Sequence, residues 1–517
     1  MNRTANIKRN MFFNVLKFVT QIVLQFVLRT ILIYIMGVEY LGLNGLFSNI
    51  FAFLNLAELG LGSAIVFSMY KPIAENDVKK IKILQEIYRK FYLTISIVVS
   101  VLGIAISPFL PFFIKDGLTI SINIYILYFM YLINTLFGYF SAHKRSLLFA
   151  YERNDVENKI RTVCIIGMTL LQILVLVIFK DYYLFFTVNI LFTFLESLMI
   201  YLSAKKLFPQ INGVVNEKLD TDTKNEIIKN VVALSMHKVG SVIVCSTDSI
   251  IISSFLGAAI LGAYSNYYMI ISMINTFFAL LISAVTASVG NMIATQTEEY
   301  VFQRYKIFNK LFNYLASFTT ICLVVLFQPF IELWTGGGIF MLDTLSVLAL
   351  CFSFYLSKTL TGVSIVKESA GIFHQDRWRP ILEACINLGV SILLVNDLGV
   401  FGVVIGTIFS TLLASFIAGP YMVYKHYYKK SVVSYYKCFL FDFLIMIVAC
   451  VITYFVCSFI PDGGILWLIV KFAVCILLSG GLLVLMYLPT KEFRELLTMG
   501  KNMLKGMLKK KDKSTNQ

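Results

Sequence analysis

Apolar residues in this chain come in long runs separated by short polar connections. The runs cover residues 11–36, 43–69, 89–114, 120–142, 160–179, 182–204, 231–256, 261–289, 307–332, 340–364, 381–396, 399–424, 438–460 and 465–488, fourteen in all. Most reach the roughly 20 residues that a helix needs to cross hydrocarbon. They lack the alternation of barrel strands, which span in about ten residues. Lipid offers backbone N–H and C=O groups no partner, so runs of this length and uniformity must be helices. The pattern predicts an all-α integral membrane protein with about 14 transmembrane helices. The first run is too long for a signal peptide and has no small-residue cleavage site, so it is expected to be a retained span. The longest connection, Lys205 to Lys229, carries Thr223 and Glu226 at the spacing of a capping box. A separate soluble catalytic domain has no room.

Composition agrees: 58% of the 517 residues are hydrophobic and 14% are charged. Charge adds orientation. The formal net charge is +15, from 44 Lys+Arg against 29 Asp+Glu. Thirty-seven of the 44 fall in the N-terminal arm, the alternate connections and the tail. Two, Lys115 and Lys180, fall in the opposite connections. The positive-inside rule then places both ends in the cytoplasm, with Trp334 and Trp467 near the outer interface. The excess charge therefore implies no nucleic acid. The tail sets leucines, methionines and Phe493 at helical spacing among lysines, as in a basic amphipathic helix on an anionic leaflet.

The 9 cysteines form no C-x-x-C pair, and His143, His237, His374 and His426 are far apart. No metal or cofactor is expected. A shift of 220 residues makes the chain partly match itself. Gly37, Leu41 and Gly42 fall on Gly257, Leu261 and Gly262. Asn55 falls on Asn275, Lys159 on Arg379, Tyr201 on Tyr421 and Lys205 on Lys425. The match predicts a parallel pseudo-repeat of six helices, a plan on which transporters build a site between halves. The expected organisation is an N-terminal lobe (1–204), a connecting loop (205–230), a second six-helix lobe (231–424), two further helices (425–490) and a basic tail (491–517).

Polar side chains within spans cost energy and point to a cavity. The first helix, from just before its apolar run, holds Asn10, Asn14, Lys17, Gln21, Gln25 and Arg29 on one face. Arg29 is deep, and a guanidinium there suits bidentate binding of a phosphate; an ion pair with Glu58 or Asp248 would also account for it. Lys17 suits the same cavity or snorkels to the interface. The second run brings Asn55 and Glu58, and the seventh His237, Lys238 and Asp248. Arg29, Lys17 and Lys238 are the candidate substrate-binding cations. Gln21, Gln25, Asn55, Asn275 and His237 are candidate cavity polar groups. Glu58 and Asp248 are candidate ion-coupling carboxylates, since burial raises a carboxyl pKa toward reversible protonation. Glu196 is deep with no evident partner, and Lys471 is expected to snorkel outward.

Several stretches resemble polysaccharide repeat-unit flippases of the Wzx type, in the multidrug/oligosaccharidyl-lipid/polysaccharide (MOP) exporter superfamily. They are Gly37 to Leu43 (GVEYLGL), Asn55 to Gly62 (NLAELGLG), Ser246 to Asn266, Pro380 to Asn387 and Gly399 to Thr407. The resemblance implies two six-helix lobes plus two helices in a V around a central cavity, the MOP or MATE-like fold. It implies an alternating-access flippase, not an enzyme. Its cargo would be an undecaprenyl-pyrophosphate-linked oligosaccharide moved from inner to outer leaflet of a bacterial cytoplasmic membrane. Glycosyltransferases and a polysaccharide polymerase would be its partners. In such families basic residues of the first helix line the cavity, where Arg29 and Lys17 stand here. Lipid II flippases also place arginines in helices two and eight. Residues 261–289 contain no basic residue, which counts against lipid II. A MATE-like multidrug/cation antiporter shares the fold and would use Glu58 and Asp248. A membrane glycosyltransferase would need a large external loop, which is missing.

Overall fold

The computed structural model describes residues 3–55, 61–115, 118–211, 246–372, 376 and 378–502. Most of these are helical, with no strand among them. Eleven helices are long and apolar enough to cross a membrane, and Val38–Leu54 and Ile65–Ala74 are shorter apolar helices. The helices are α1 (Arg3–Met36), α2 (Val38–Leu54), α3 (Leu61–Ala74), α4 (Val78–Ile106), α5 (Ile124–Phe140), α6 (Ala142–Ala150), α7 (Asn154–Phe179) and α8 (Tyr182–Leu207). After α9 (246–256) come α10 (Ala258–Thr295), α11 (Glu298–Thr335), α12 (Thr344–Thr359), α13 (Thr361–Ser369) and α14 (Arg379–Ser410). The chain continues helically through α15 (Ile417–Val423), then forms α16 (Val433–Ser458) and α17 (Ile465–Tyr487).

The apolar runs map onto these helices. The run 43–69 divides into α2 and α3, and the runs 381–396 and 399–424 share one 50-residue helical stretch, Arg379–Tyr428. Gly399, at φ 58° and ψ −137°, breaks that stretch between them. The run 231–256 and the Thr223–Glu226 capping box lie wholly or mostly outside the described residues. Local sequence sets the ends. The Asp77, Asn123 and Asp181 carboxyl or amide oxygens accept from backbone N–H groups in the first turns of α4, α5 and α8. Gly336 ends α11 in the left-handed conformation at φ 81°.

The chain divides into two compact units, Met1–Ser265 and Asn266–Gln517. In the first, α1 lies along α7, α7 along α8, and α8 along α5. The start of α1 is fastened to the turn before α7. Asn10 Nδ2 donates to the Glu152 carbonyl at 2.8 Å, and its Oδ1 accepts from the Asp155 N–H at 2.9 Å. The Asp155 carboxylate is 1% exposed and sits among Arg9 at 3.0 Å, Arg153 at 3.0 Å and Lys159 at 3.7 Å. Basic residues of 143–161 thus do structural service inside the unit. Among them Arg145, on α6, binds Glu196 at 2.8 Å and supplies the partner missing from the sequence reading.

In the second unit α11 packs against α12, α16 and α17. Its core gathers Ala316, Ile321, Tyr355, Ala449, Cys475, Leu483, Tyr487 and Phe493. Phe493 lies in the helical stretch 491–502, so the beginning of the basic tail is anchored in this core. Trp334, expected as an outer-interface anchor, is buried beside Phe330, whereas Trp467 is exposed. Lys471 is buried and reaches Asp462 at 2.5 Å, so a loop carboxylate holds its ammonium. Asp376 receives Arg379 at 2.7 Å and also binds Lys367. Burial alone would push the Asp376 carboxyl up. The Arg379 hydrogen bond and charge, with the Lys367 ammonium, outweigh burial and hold it below the usual carboxylate range.

Asp442 is wholly buried on α16 and is held by two residues of α11: Lys310 Nζ donates to Oδ1 at 2.5 Å and Asn313 Nδ2 to Oδ2 at 2.6 Å. Removing one partner of a buried pair leaves an uncompensated charge, at a cost of about 3–5 kcal/mol. Asp442→Ala is therefore expected to lower the melting temperature of the purified protein strongly. The double replacement Lys310→Met with Asp442→Leu should recover most of the loss in the same melting experiment. A double variant as unstable as the single one would show that packing, not charge, holds this site.

The internal repeat recurs in backbone detail. Gly37 and Gly257 have φ of 91° and 94°. Their N–H groups donate to the carbonyls five residues back, Leu32 at 3.3 Å and Ile252 at 3.1 Å. The positive φ is why both are glycine. A Cβ on Gly42 would lie 1.9 Å from the Ala258 carbonyl oxygen, and one on Gly262 would lie 2.1 Å from that of Val38. The offset of 220 that pairs Gly42 with Gly262 also pairs Val38 with Ala258, so α2 and the start of α10 meet in a reciprocal contact. The nine-residue helices α6 and α13 also correspond. Lys159 and Arg379, matched by the repeat, each bind a buried aspartate.

Candidate functional site

Arg29 lies on α1, seven residues before its end at Met36. It is partly buried. Its guanidinium donates to the Ser265 hydroxyl, which in turn donates to the Gly262 carbonyl at 2.7 Å. The close approach of Gly262 to Val38 is what brings Ser265 within reach: Gly45 on α2 faces both Leu261 and Ser265. Tyr182, at the start of α8, lies near the guanidinium. The Tyr182 and Tyr131 hydroxyls are neighbours, beside Asn44 and Ser48 of α2. Tyr131 stacks on Phe186 at 4.0 Å, and Tyr40 packs on Tyr182 at 5.0 Å between ring centroids. The result is a guanidinium among hydroxyls and aromatic rings within the first unit. A guanidinium presents five N–H donors in a planar fork that matches phosphate oxygens.

The other expected site residues distribute as follows. Lys17 is half-buried on α1, in the field of Arg161, Glu157 and Glu196. Gln21 is half-buried and Gln25 exposed. Asn55 ends α2 and accepts a hydrogen bond from the Tyr139 hydroxyl, so its carbonyl is committed within the first unit. Asp248 is buried on α9. Asn275, in the second unit, is half-buried, and its buried Oδ1 has no hydrogen-bond partner among the described residues. Glu58, His237 and Lys238 lie outside the described residues. No group of three or more potential metal ligands occurs among the described residues. Sequence reasoning found Arg29 but missed Ser265, Tyr131 and Tyr182 around it. Tyrosines inside apolar runs are so common here that their polar ends gave no separate signal.

A family model described as "Polysaccharide biosynthesis protein" matches residues 7–287, more than half of the chain. The chain belongs to the polysaccharide biosynthesis protein family. This member carries the MOP-superfamily fold. The lipid II flippase MurJ in an inward closed conformation superposes with TM-score 0.64 at 14% identity, covering 92% of this chain and 99% of that one. An inward-facing multidrug resistance MATE family transporter of the MOP superfamily gives TM-score 0.58 at 14% identity, covering 78% and 93%. A MOP superfamily transporter from Pyrococcus furiosus gives 0.53 at 15% identity, covering 83% and 95%. No curated protein sequence matches the chain. The expected resemblance to a MOP-superfamily flippase is borne out. With eleven helices long and apolar enough to cross a membrane among the described residues, this member is a multi-pass membrane protein.

Proposed function

We propose that this protein flips an undecaprenyl-pyrophosphate-linked oligosaccharide from the inner to the outer leaflet by alternating access, with both termini in the cytoplasm of a bacterium. The observation that carries the reading is Arg29: a guanidinium on an apolar helix, partly accessible, set among the Ser265 and Tyr182 hydroxyls. A pyrophosphate needs a cationic, wet path, while the polyprenyl tail can stay in lipid. Lys17 and Lys238 are the further cations, and Glu58 or Asp248 the carboxylate that couples movement to an ion. Gln21, Gln25, Asn55 and His237 of the same unit are its further polar groups. Glycosyltransferases would build the cargo and a polymerase would consume it. α10 contains no Lys or Arg, which counts against lipid II as the cargo.

The purified protein in vesicles tests this. A short-chain polyprenyl-diphosphate sugar placed in one leaflet is expected to become accessible to a membrane-impermeant reagent on the other side, faster than in protein-free vesicles. Transport of a cationic dye without movement of the lipid-linked sugar would instead support the MATE-like antiporter, in which Asp248 serves the cation.

A further inference from the structure

The second unit holds a cavity of about 540 Å³ that the proposed transport reaction does not use. It lies among the first turns of α11, the helical residues 424–428, the first turns of α16 and the residues after α17. Its lining contains four lysines, Lys306, Lys310, Lys430 and Lys437, against two carboxylates, Asp442 and Glu492. Asp442 is taken up by Lys310 and Asn313, and Lys430 is held by Glu299 at 2.7 Å, so Lys306 and Lys437 are the lysines left to face a ligand, with Glu492 beside them. Ser431 adds a hydroxyl to the lining, whereas the Ser434 hydroxyl donates to the Ser431 carbonyl at 3.0 Å. Tyr435, 3% exposed, adds an aromatic wall to the cavity.

We infer that this cavity binds the phosphate group of an anionic membrane lipid. Lysine ammoniums and hydroxyls are the donors a phosphodiester takes. The membrane as source follows from what adjoins the cavity. Phe441 of its lining begins a stripe on α16 that continues through Leu444, Val448 and Val451, all exposed, at 47%, 53%, 46% and 62%. The spacing of three, four and three residues keeps them on one helix face. Acyl chains laid along that stripe would leave the headgroup at the lysines. A soluble phosphate would have no use for the stripe.

The full chain in nanodiscs tests this by its retained lipid, measured by native mass spectrometry and thermal melting. Phosphatidylglycerol is expected to be retained over phosphatidylcholine. The double variant Lys306→Gln with Lys437→Gln should lose that preference by about tenfold or more, the effect of one to two charge-assisted hydrogen bonds. Lys491→Gln with Arg494→Gln, in the neighbouring open groove shared with Arg304, should keep it. Equal loss in both double variants would overturn the pocket in favour of general surface charge. Stabilisation by inorganic phosphate in phosphatidylcholine discs, with no preference for phosphatidylglycerol, would overturn the lipid as its source.

Discussion

Arg29→Ala is expected to abolish surface polysaccharide while the protein still inserts, folds and melts near its normal temperature. A hydrogen bond to a charged group is worth about 1.5–3 kcal/mol, so a lost guanidinium–phosphate contact slows flipping about ten- to a hundredfold. Arg29→Lys should fall between, because an ammonium keeps the charge but not the planar fork. Ser265→Ala removes the hydroxyl that receives the guanidinium and should cost less than either. Sensitivity to cationic drugs should be unchanged in all three. Surface polysaccharide at normal levels in Arg29→Ala would sink the assignment of Arg29, and a drug-sensitive phenotype would move the protein toward the antiporters.

The second large effect is structural. Gly42→Ala should leave little folded protein, because its Cβ would sit 1.9 Å from a backbone carbonyl oxygen, and backbone cannot rotate aside as a side chain can. Overpacking usually costs about 1–3 kcal/mol, occasionally more, and a clash with the main chain belongs at the upper end. Gly262→Ala, at 2.1 Å from the Val38 carbonyl, should behave alike. The control is Gly138→Ala within α5, where nothing lies within 4 Å of the added carbon. There the change should be neutral or stabilising by about 0.5–1 kcal/mol, the ordinary helix preference of alanine. Monodispersity and melting temperature in detergent separate these outcomes. A well-folded Gly42→Ala would mean that α2 and α10 can part at no cost.

The helices were legible because lipid leaves the backbone no alternative: a run such as 465–488 can be read from hydropathy alone, and it reappears as α17 (Ile465–Tyr487). Gly37 and Gly257 were legible as a repeat, and their shared positive φ shows the physical constraint beneath it. Pairing was not legible. Lys310 reads as a loop cation and Asp442 as one polar residue inside an apolar run, and only the tertiary structure joins them. Glu196 looked solitary because its partner, Arg145, comes from a stretch that reads as a connection but folds into α6. At the site, the cation was visible as part of a polar stripe on α1. Its surroundings come from α5, α8 and α10, beyond the reach of a periodicity confined to one helix.

The Lys310–Asp442 pair also has a clock in it. Its members are 132 residues apart. At about 5–20 residues per second of synthesis, α11 waits about 7–26 s for its counter-charge to leave the ribosome. Arg145 and Glu196, 51 residues apart, wait less than half as long. During the longer interval Lys310 has to keep its ammonium in water or among headgroups, as a flexible four-carbon stem allows, and α11 cannot settle to its final depth. The last two helices, α16 and α17, are therefore no detachable appendage. A chain that stops before α16 leaves the second unit with a cation it has no means to bury.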